Sequence, residues 1–219
     1  MDLNQARFNM IEQQIRPWEV LDPQVLDLLS VVRREDFVPM AHKALAFVDM
    51  EIPLGAATNQ VMLAPRVQAR MLQDLAVKKT DKVLDIGTGS GFMAALLAHQ
   101  SSSVLSLEID ANLAAQAQAN LQKAGVTNAV VRTADGSQGA PADGPFDVIA
   151  LSGSVAEVPA ALLQQLAVGG RLVAIVGEEP MMRATLITRT SDNNWTTTEP
   201  WDCNAPRLSG FPEHSRFEF

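Results

Sequence analysis

The amino-acid sequence predicts an α/β fold built on a mostly parallel sheet, and three observations support this prediction. Short apolar runs alternate with helical segments through residues 82–176, a pattern typical of a parallel sheet with helices on both faces. Two β-rich runs, at residues 184–190 and 195–201, follow with only a polar turn between them, which predicts an antiparallel hairpin. Apolar residues at helical spacing before residue 77 predict a helical N-terminal region.

The N-terminal region begins with two predicted helices. Apolar residues at helical spacing predict the first over residues 3–15. The second begins at Asp22, an N-cap residue that is followed by proline at the first helical position. Proline and glycine interrupt residues 37–65, which we expect to be irregular, and a third helix is predicted over residues 66–76.

The rest of the chain supplies the seven strands of the sheet. Further helices are predicted at residues 92–99, 111–124 and 158–166, between successive strands. The strands are predicted at residues 82–86, 104–108, 128–133, 146–151, 171–176, 184–190 and 195–201.

Composition disfavours several classes of function. The net charge of -8, without a Lys/Arg-rich stretch, opposes a nucleic-acid partner because phosphates are repelled. The only cysteine is Cys203, so no intrachain disulfide forms. No apolar run approaches the roughly 20 residues that span a bilayer, and the first residues lack a signal-peptide layout, so we expect a soluble cytoplasmic protein without a membrane partner. No metal-ligand spacing occurs, which predicts no metal site; the histidines are scattered at His42, His99 and His214.

A glycine-rich segment, DIGTGSG at residues 85–91, lies between a predicted strand and a predicted helix. Its glycines permit a tight turn and let the backbone approach a ligand closely. The dinucleotide fingerprint Gly-x-Gly-x-x-Gly requires its third glycine where this chain has Phe92. Asp85 beside the loop is a poor neighbour for a pyrophosphate but suits S-adenosylmethionine (SAM), which carries an amino acid end and a sulfonium.

Two more acidic residues follow neighbouring strands. Glu108 ends the second strand of the sheet, where its carboxylate can accept hydrogen bonds from both ribose hydroxyls. Asp135 follows the third strand, where it can accept from the adenine amino group. All of these residues fall at the carboxyl ends of parallel strands, where such sheets bind ligands. The sequence therefore predicts a SAM site formed by Asp85, Gly87, Thr88, Gly89, Gly91, Glu108, Ile109, Asp135 and Gly136.

Several segments resemble the protein-L-isoaspartate O-methyltransferase family, and the resemblance covers most of residues 5–180. It implies a Rossmann-like class I methyltransferase fold, SAM as the methyl donor, and a protein or peptide partner that offers the carboxylate of a damaged, isoaspartyl residue. The oligomeric state is not implied. The segments that carry the resemblance are the first helix at 7–16, REDFVP at 34–39, the approach to the active-site loop at 49–55, the glycine loop and helix at 83–97, ADG at 134–136, PFD at 145–147 and residues 165–177.

The resemblance also predicts how the chain is divided. Residues 1–78 are expected to form an N-terminal helical segment with the active-site loop, and residues 79–219 the SAM-binding methyltransferase core, within one compact domain overall.

The active-site loop diverges from the family pattern threonine-isoleucine-serine-glutamine-proline. Residues 61–65 read VMLAP, so Leu63 takes the place of the serine that supplies a catalytic or positioning hydroxyl. Thr58, Asn59 and Gln60 are the predicted catalytic substitutes, although a solvated turn fits them equally well. Two alternatives therefore remain open: a class I methyltransferase for another small-molecule or protein acceptor, and a SAM-binding protein without isoaspartyl activity. A nicotinamide oxidoreductase is opposed by Phe92.

Overall fold

The computed structural model describes residues 2–55, 57 and 59–213. One turn of π-helix at Ile11–Ile15 continues the first helix. The helices are α1 (Leu3–Met10), α2 (Pro23–Val31), α3 (Pro65–Leu75), α4 (Phe92–Gln100), α5 (Ala111–Lys123) and α6 (Ala160–Leu163). The strands are β1 (Ile52–Pro53), β2 (Val61–Met62), β3 (Lys82–Ile86), β4 (Ser103–Glu108), β5 (Ala129–Thr133), β6 (Phe146–Val155), β7 (Leu166–Glu178), β8 (Met181–Ser191) and β9 (Asn194–Asp202).

Seven strands form one sheet in the order β5-β4-β3-β6-β7-β8-β9. The first five in that order are parallel, and β8 and β9 are antiparallel to their neighbours. Ile86 pairs with Leu107 on one side and with Leu151 on the other, so the carboxyl ends of β3, β4 and β6 meet at one edge. The predicted α/β fold, a seven-stranded mostly parallel sheet with N-terminal helices and a C-terminal hairpin, is confirmed.

Several predicted boundaries before the hairpin are wrong. The strand β6 ends at Val155, four residues later than predicted. The helix expected at residues 158–166 is a single turn, α6, and β7 begins five residues earlier than predicted. The pairing of β6 with β7 shifts between Phe146 and Val148. At this irregularity a Cβ on Gly170 would lie 2.9–3.1 Å from three backbone carbonyl oxygens. Gly169 and Gly170 precede the predicted strand and lie at a bulge inside the observed one.

The central strands β3 and β6 are buried on both faces, as expected of parallel strands covered by helices, whereas the edge strand β9 is largely exposed. Val83 packs into a cluster with the N-terminal helices and α4, whereas its neighbour Leu84 packs into a second cluster on the opposite face. Phe211, from the segment that follows β9, belongs to the second cluster together with Ile86. Among the described helices, none is long and apolar enough to cross a membrane.

Candidate active site

The glycine loop turns the chain from β3 into α4 at the edge where the parallel strands end. Gly87 and Gly91 have φ values of 89° and 87°, a left-handed backbone that favours glycine. A Cβ on Gly91 would lie 3.3 Å from the Cβ of Ala117, so this glycine permits α5 to pack closely against the loop. Gly87 faces the cavity described below.

Asp85 is fully buried beneath this loop. Its carboxylate accepts hydrogen bonds from Ser106 Oγ at 2.6 Å and from Ser152 Oγ at 2.8 Å. Thr88 Oγ1 lies 2.6 Å from Ser106 Oγ and extends the network to the loop. Burial raises the pKa of Asp85 to about 6, although the two serine hydroxyls pull it down. These contacts join strands β3, β4 and β6 and fix the start of the loop.

Glu108 is a buried carboxylate that accepts a hydrogen bond from the loop backbone. Its Oε2 accepts the N–H of Gly89 at 2.8 Å, and its Oε1 accepts the N–H of Asp110 at 3.1 Å. Each carboxylate oxygen can accept more than one hydrogen bond, so Glu108 keeps acceptor capacity for hydroxyl donors. The loop amide thus holds the carboxylate in place before any ligand binds.

A cavity of about 160 Å³ opens at this edge of the sheet. Five of the nine residues predicted to bind SAM line this cavity. Asp85 and Thr88 lie beneath the loop, and Gly91 packs on α5, so none of these three lines the cavity. Asp135 also lies outside the lining, where its carboxylate accepts the N–H of Ser137 at 2.9 Å. The five that line the cavity are Gly87, Gly89, Glu108, Ile109 and Gly136.

The divergent loop borders the cavity on the side of the N-terminal region. Asn59 and Gln60 line the cavity, whereas Thr58 lies outside the described residues. Gln60 Nε2 donates to Asp110 Oδ2 at 3.0 Å, so this side chain fastens the loop to the start of α5. The catalytic role predicted for Thr58, Asn59 and Gln60 stays a prediction, because these contacts concern the chain itself.

Leu63 does not present its side chain to the cavity. It is 3% exposed and packs in the core, while its carbonyl accepts a hydrogen bond from Arg34 Nη2 at 2.9 Å. Arg34 is itself buried and also donates to Gln68 Oε1 at 2.8 Å. Burial lowers the pKa of the Arg34 guanidinium to about 9. The position that the resemblance assigns to a hydroxyl is thus a core position in this chain.

The segment after β9, which was not predicted to belong to the site, supplies the far side of the cavity. This segment runs alongside the end of β6: Ser154 N donates to Pro206 O, and Leu208 N donates to Ser154 O, each at 2.9 Å. Its only signal in the sequence is the placement of proline and glycine around an aromatic residue, Phe211. The residues of this segment that line the cavity are Arg207, Leu208, Ser209 and Phe211.

The residues of the cavity fit the adenosyl group of SAM. Glu108 offers a fixed carboxylate for the ribose hydroxyls, and Ile109 is 47% exposed beside it, an apolar surface for a flat ring. Among the described residues that line the cavity, only Arg207 is a cation, and a phosphate at the loop would meet Glu108 instead. Within the described ranges, no group of three or more His, Cys, Asp or Glu residues could hold a metal ion.

The chain is similar in sequence to several protein-L-isoaspartate O-methyltransferases. Protein-L-isoaspartate O-methyltransferase 2 of Marinobacter nauticus is 43% identical over 210 residues, which cover 95% of each chain. The protein-L-isoaspartate O-methyltransferase of Koribacter versatilis is 38% identical over 206 residues, covering 93% of this chain and 90% of that protein.

A solved structure shares the fold. It is a crystal structure of a Plasmodium falciparum protein assigned as a protein-L-isoaspartate O-methyltransferase, in complex with S-adenosyl-L-homocysteine. The TM-score is 0.76 at 19% identity, with 92% of this chain and 98% of that chain covered. The profile of the protein-L-isoaspartate(D-aspartate) O-methyltransferase family matches residues 5–203. From this match and the curated relatives, the chain belongs to the protein-L-isoaspartate(D-aspartate) O-methyltransferase family.

Proposed function

We propose that this chain transfers the methyl group of SAM to the free carboxylate of isoaspartyl residues in damaged proteins or peptides. The observation that carries the proposal is the family match over residues 5–203. A cavity lined by five of the nine predicted cofactor residues, at the carboxyl ends of the parallel strands, supports it. The proposed role is protein repair, and the proposed location is the cytoplasm.

The reaction requires alignment more than proton transfer. An isoaspartyl residue leaves its α-carboxylate free, and a carboxyl group with an ordinary pKa near 4 is already ionised at neutral pH. No side chain therefore has to act as a general base. When bound, SAM supplies a sulfonium-borne methyl group to a carboxylate oxygen and leaves as S-adenosylhomocysteine (SAH). Alignment alone is worth about 7–11 kcal/mol in well-oriented reactions.

The chain's own residues divide this task between donor and acceptor. Glu108 holds the ribose end of the donor. Arg207 is the residue that we assign to the acceptor. Its guanidinium donates from Nη2 to Gly177 O at 3.0 Å and pairs through Nε with Glu213 at 3.2 Å. Nη1 is buried and finds no acceptor among the described residues, so a small shift of this side chain toward the cavity would give the donor a carboxylate partner.

Substituting Arg207→Gln is expected to raise KM for an isoaspartyl peptide about tenfold, because a charge-assisted hydrogen bond contributes about 1.5–3 kcal/mol. Affinity for SAH should stay within about twofold, since the ribose hydroxyls are assigned to Glu108 and not to Arg207. Steady-state kinetics and calorimetric titration measure the two effects separately. Arg183→Gln, on the exposed face of β8, is the matched control. An unchanged KM would assign the acceptor carboxylate to another group.

The proposed function itself is tested by label transfer. Methyl-labelled SAM is incubated with an isoaspartyl peptide and, in parallel, with the normal aspartyl peptide of the same sequence. We expect base-labile label on the isoaspartyl peptide alone, as a methyl ester requires. Protein carrying Glu108→Ala should transfer almost none, which ties the label to this cavity. If protein that binds SAH leaves the isoaspartyl peptide unlabelled, the proposed substrate is wrong.

A second candidate function is supported by one observation, the burial of Leu63 where the resemblance implies a serine hydroxyl. On this reading the chain methylates another carboxylate, from a small molecule or a different protein group. Labelling of a carboxylic acid in cell extract, without labelling of the isoaspartyl peptide, would favour this candidate.

A further inference from the structure

The segment that follows β9, residues 203–211, crosses the edge of the sheet where the cofactor residues lie. We call residues 206–211 the strap. It is tied to β6 by the two backbone hydrogen bonds of Ser154, which form a parallel bridge between Ser154 and Arg207. The strap is thus anchored by the backbone at its start, before it reaches the glycine loop.

The first contact of the strap with the loop is made by Leu208. A Cβ built on Gly87 would lie 2.7 Å from Leu208 Cδ2, and one on Gly153 would lie 2.8 Å from the same atom. Such distances are too short for carbon atoms, so the side chain of Leu208 takes the space that two glycines leave free.

The strap then reaches the residues predicted to contact the nucleoside. Gly210 has φ +85°, and a Cβ there would lie 2.7 Å from Asp135 Oδ1, so the backbone lies against that carboxylate. Phe211 is 7% exposed and packs with Ile86 and Leu107. Its side chain lines the same cavity as Glu108.

The divergent loop holds the strap from the other side. Asn59 Nδ2 donates to Arg207 O at 3.2 Å and to Ser209 Oγ at 3.0 Å. The loop and the strap therefore border the cavity together. The side-chain amide of Asn59, a residue predicted to be catalytic, forms the hydrogen bonds that connect them in this structure.

We propose that the strap is the outer wall of the cofactor cavity and that Phe211 contacts the purine ring of the bound donor. An aromatic ring offers a flat apolar face against which a purine can stack. Phe211 shares the cavity with Glu108, the ribose acceptor, and with Ile109, the exposed apolar neighbour of that carboxylate. This inference rests on the proposed function only for the identity of the donor.

The test is calorimetric titration with SAH, which requires no acceptor. Phe211→Ala is expected to weaken SAH binding about tenfold, because loss of one base–aromatic stack has about that effect. Phe211→Leu keeps an apolar side chain and should lose about threefold. Phe8→Ala, at a position 59% exposed on α1, is the control and should bind as the unchanged protein does.

The outcomes separate this inference from the proposed function. If Phe211→Ala binds SAH with unchanged affinity, the proposed contact between Phe211 and the purine ring is wrong. Tighter binding would also overturn it, since the ring would then occupy the place of the ligand. Neither result bears on whether the isoaspartyl peptide is labelled. Conversely, weaker SAH binding by Phe211→Ala would support the cofactor contact even if the isoaspartyl peptide is not labelled.

A second measurement guards against a variant that fails to fold. In the unchanged protein, SAH should slow amide hydrogen exchange at residues 208–211 more than in the turn between β8 and β9. Equal protection in both segments would contradict a contact between the strap and the ligand.

Discussion

Replacing Glu108 with alanine is expected to weaken SAH binding about 100-fold. The carboxylate is predicted to accept both ribose hydroxyls, and a hydrogen bond to a charged group contributes about 1.5–3 kcal/mol. Two such bonds at the lower end of that range give about 3 kcal/mol, or about 100-fold in affinity. The amide of Gly89 already fixes the carboxylate, so no reorganisation offsets this gain on binding.

Thermal or chemical denaturation in the presence of SAH measures the effect independently of turnover. At a ligand concentration 100 times Kd, the unchanged protein should gain about 2.7 kcal/mol in free energy of unfolding. A variant with 100-fold weaker binding should gain only about 0.4 kcal/mol at the same concentration. The difference is large enough to read from a single pair of unfolding curves.

Matched variants show whether charge or shape is responsible. Glu108→Gln keeps the shape and can still accept one hydrogen bond, so we expect a loss of about tenfold. Glu157→Ala, at an exposed position beyond β6, should bind SAH like the unchanged protein. If neither change at Glu108 affects SAH binding, the cofactor lies elsewhere in the chain.

The glycine loop and Glu108 could be located from the sequence because both are defined by their positions directly after short apolar strands. Three glycines follow a short apolar strand, and the acidic residue ends the next strand along the chain. In a parallel sheet those two ends are neighbours, and the structure pairs Ile86 with Leu107 as that argument requires. The family prediction rested on similar short motifs and is confirmed by the match over residues 5–203.

The burial of Asp85 could not be read from the same pattern. Whether an acid after a strand faces a ligand or the core depends on the side chains that adjacent strands bring to it. Here Ser106 of β4 and Ser152 of β6 close over the carboxylate. Their contribution requires the register of three strands, which sequence spacing alone does not supply.

The strap was missed for a related reason. Its residues show neither helical nor alternating periodicity, so no pattern predicted where they lie. The contact between Asn59 and Ser209 joins residues that are 150 positions apart. Such a contact follows only from the completed sheet, which returns the chain to the cavity after β9.

Replacing Asp85 with asparagine is expected to remove a pH dependence of stability. The pKa of Asp85 is about 6 in the folded protein and 3.8 as the ordinary value. The unfolded chain thus gives up its proton at lower pH, and stability falls as pH rises from about 4 to about 6. Between pH 4.5 and 7.5 the unchanged protein should lose about 2 kcal/mol relative to Asp85→Asn. Chemical denaturation at the two pH values measures this difference.

The same variant decides whether Asp85 positions the loop or binds the cofactor. Asparagine can accept from Ser152 and donate to Ser106, so the network that fixes the loop survives without charge. SAH affinity should then stay within about threefold, whereas a direct contact between the carboxylate and the amino acid end of SAM would make the loss about 100-fold.

Asp192→Asn, in the exposed turn between β8 and β9, should alter neither the affinity nor the pH dependence. If Asp85→Asn greatly weakens SAH binding and leaves the free energy of unfolding unchanged, Asp85 contacts the cofactor, as the sequence predicted. A gain in stability above pH 6 with SAH binding intact would establish it as a buried group that holds the loop.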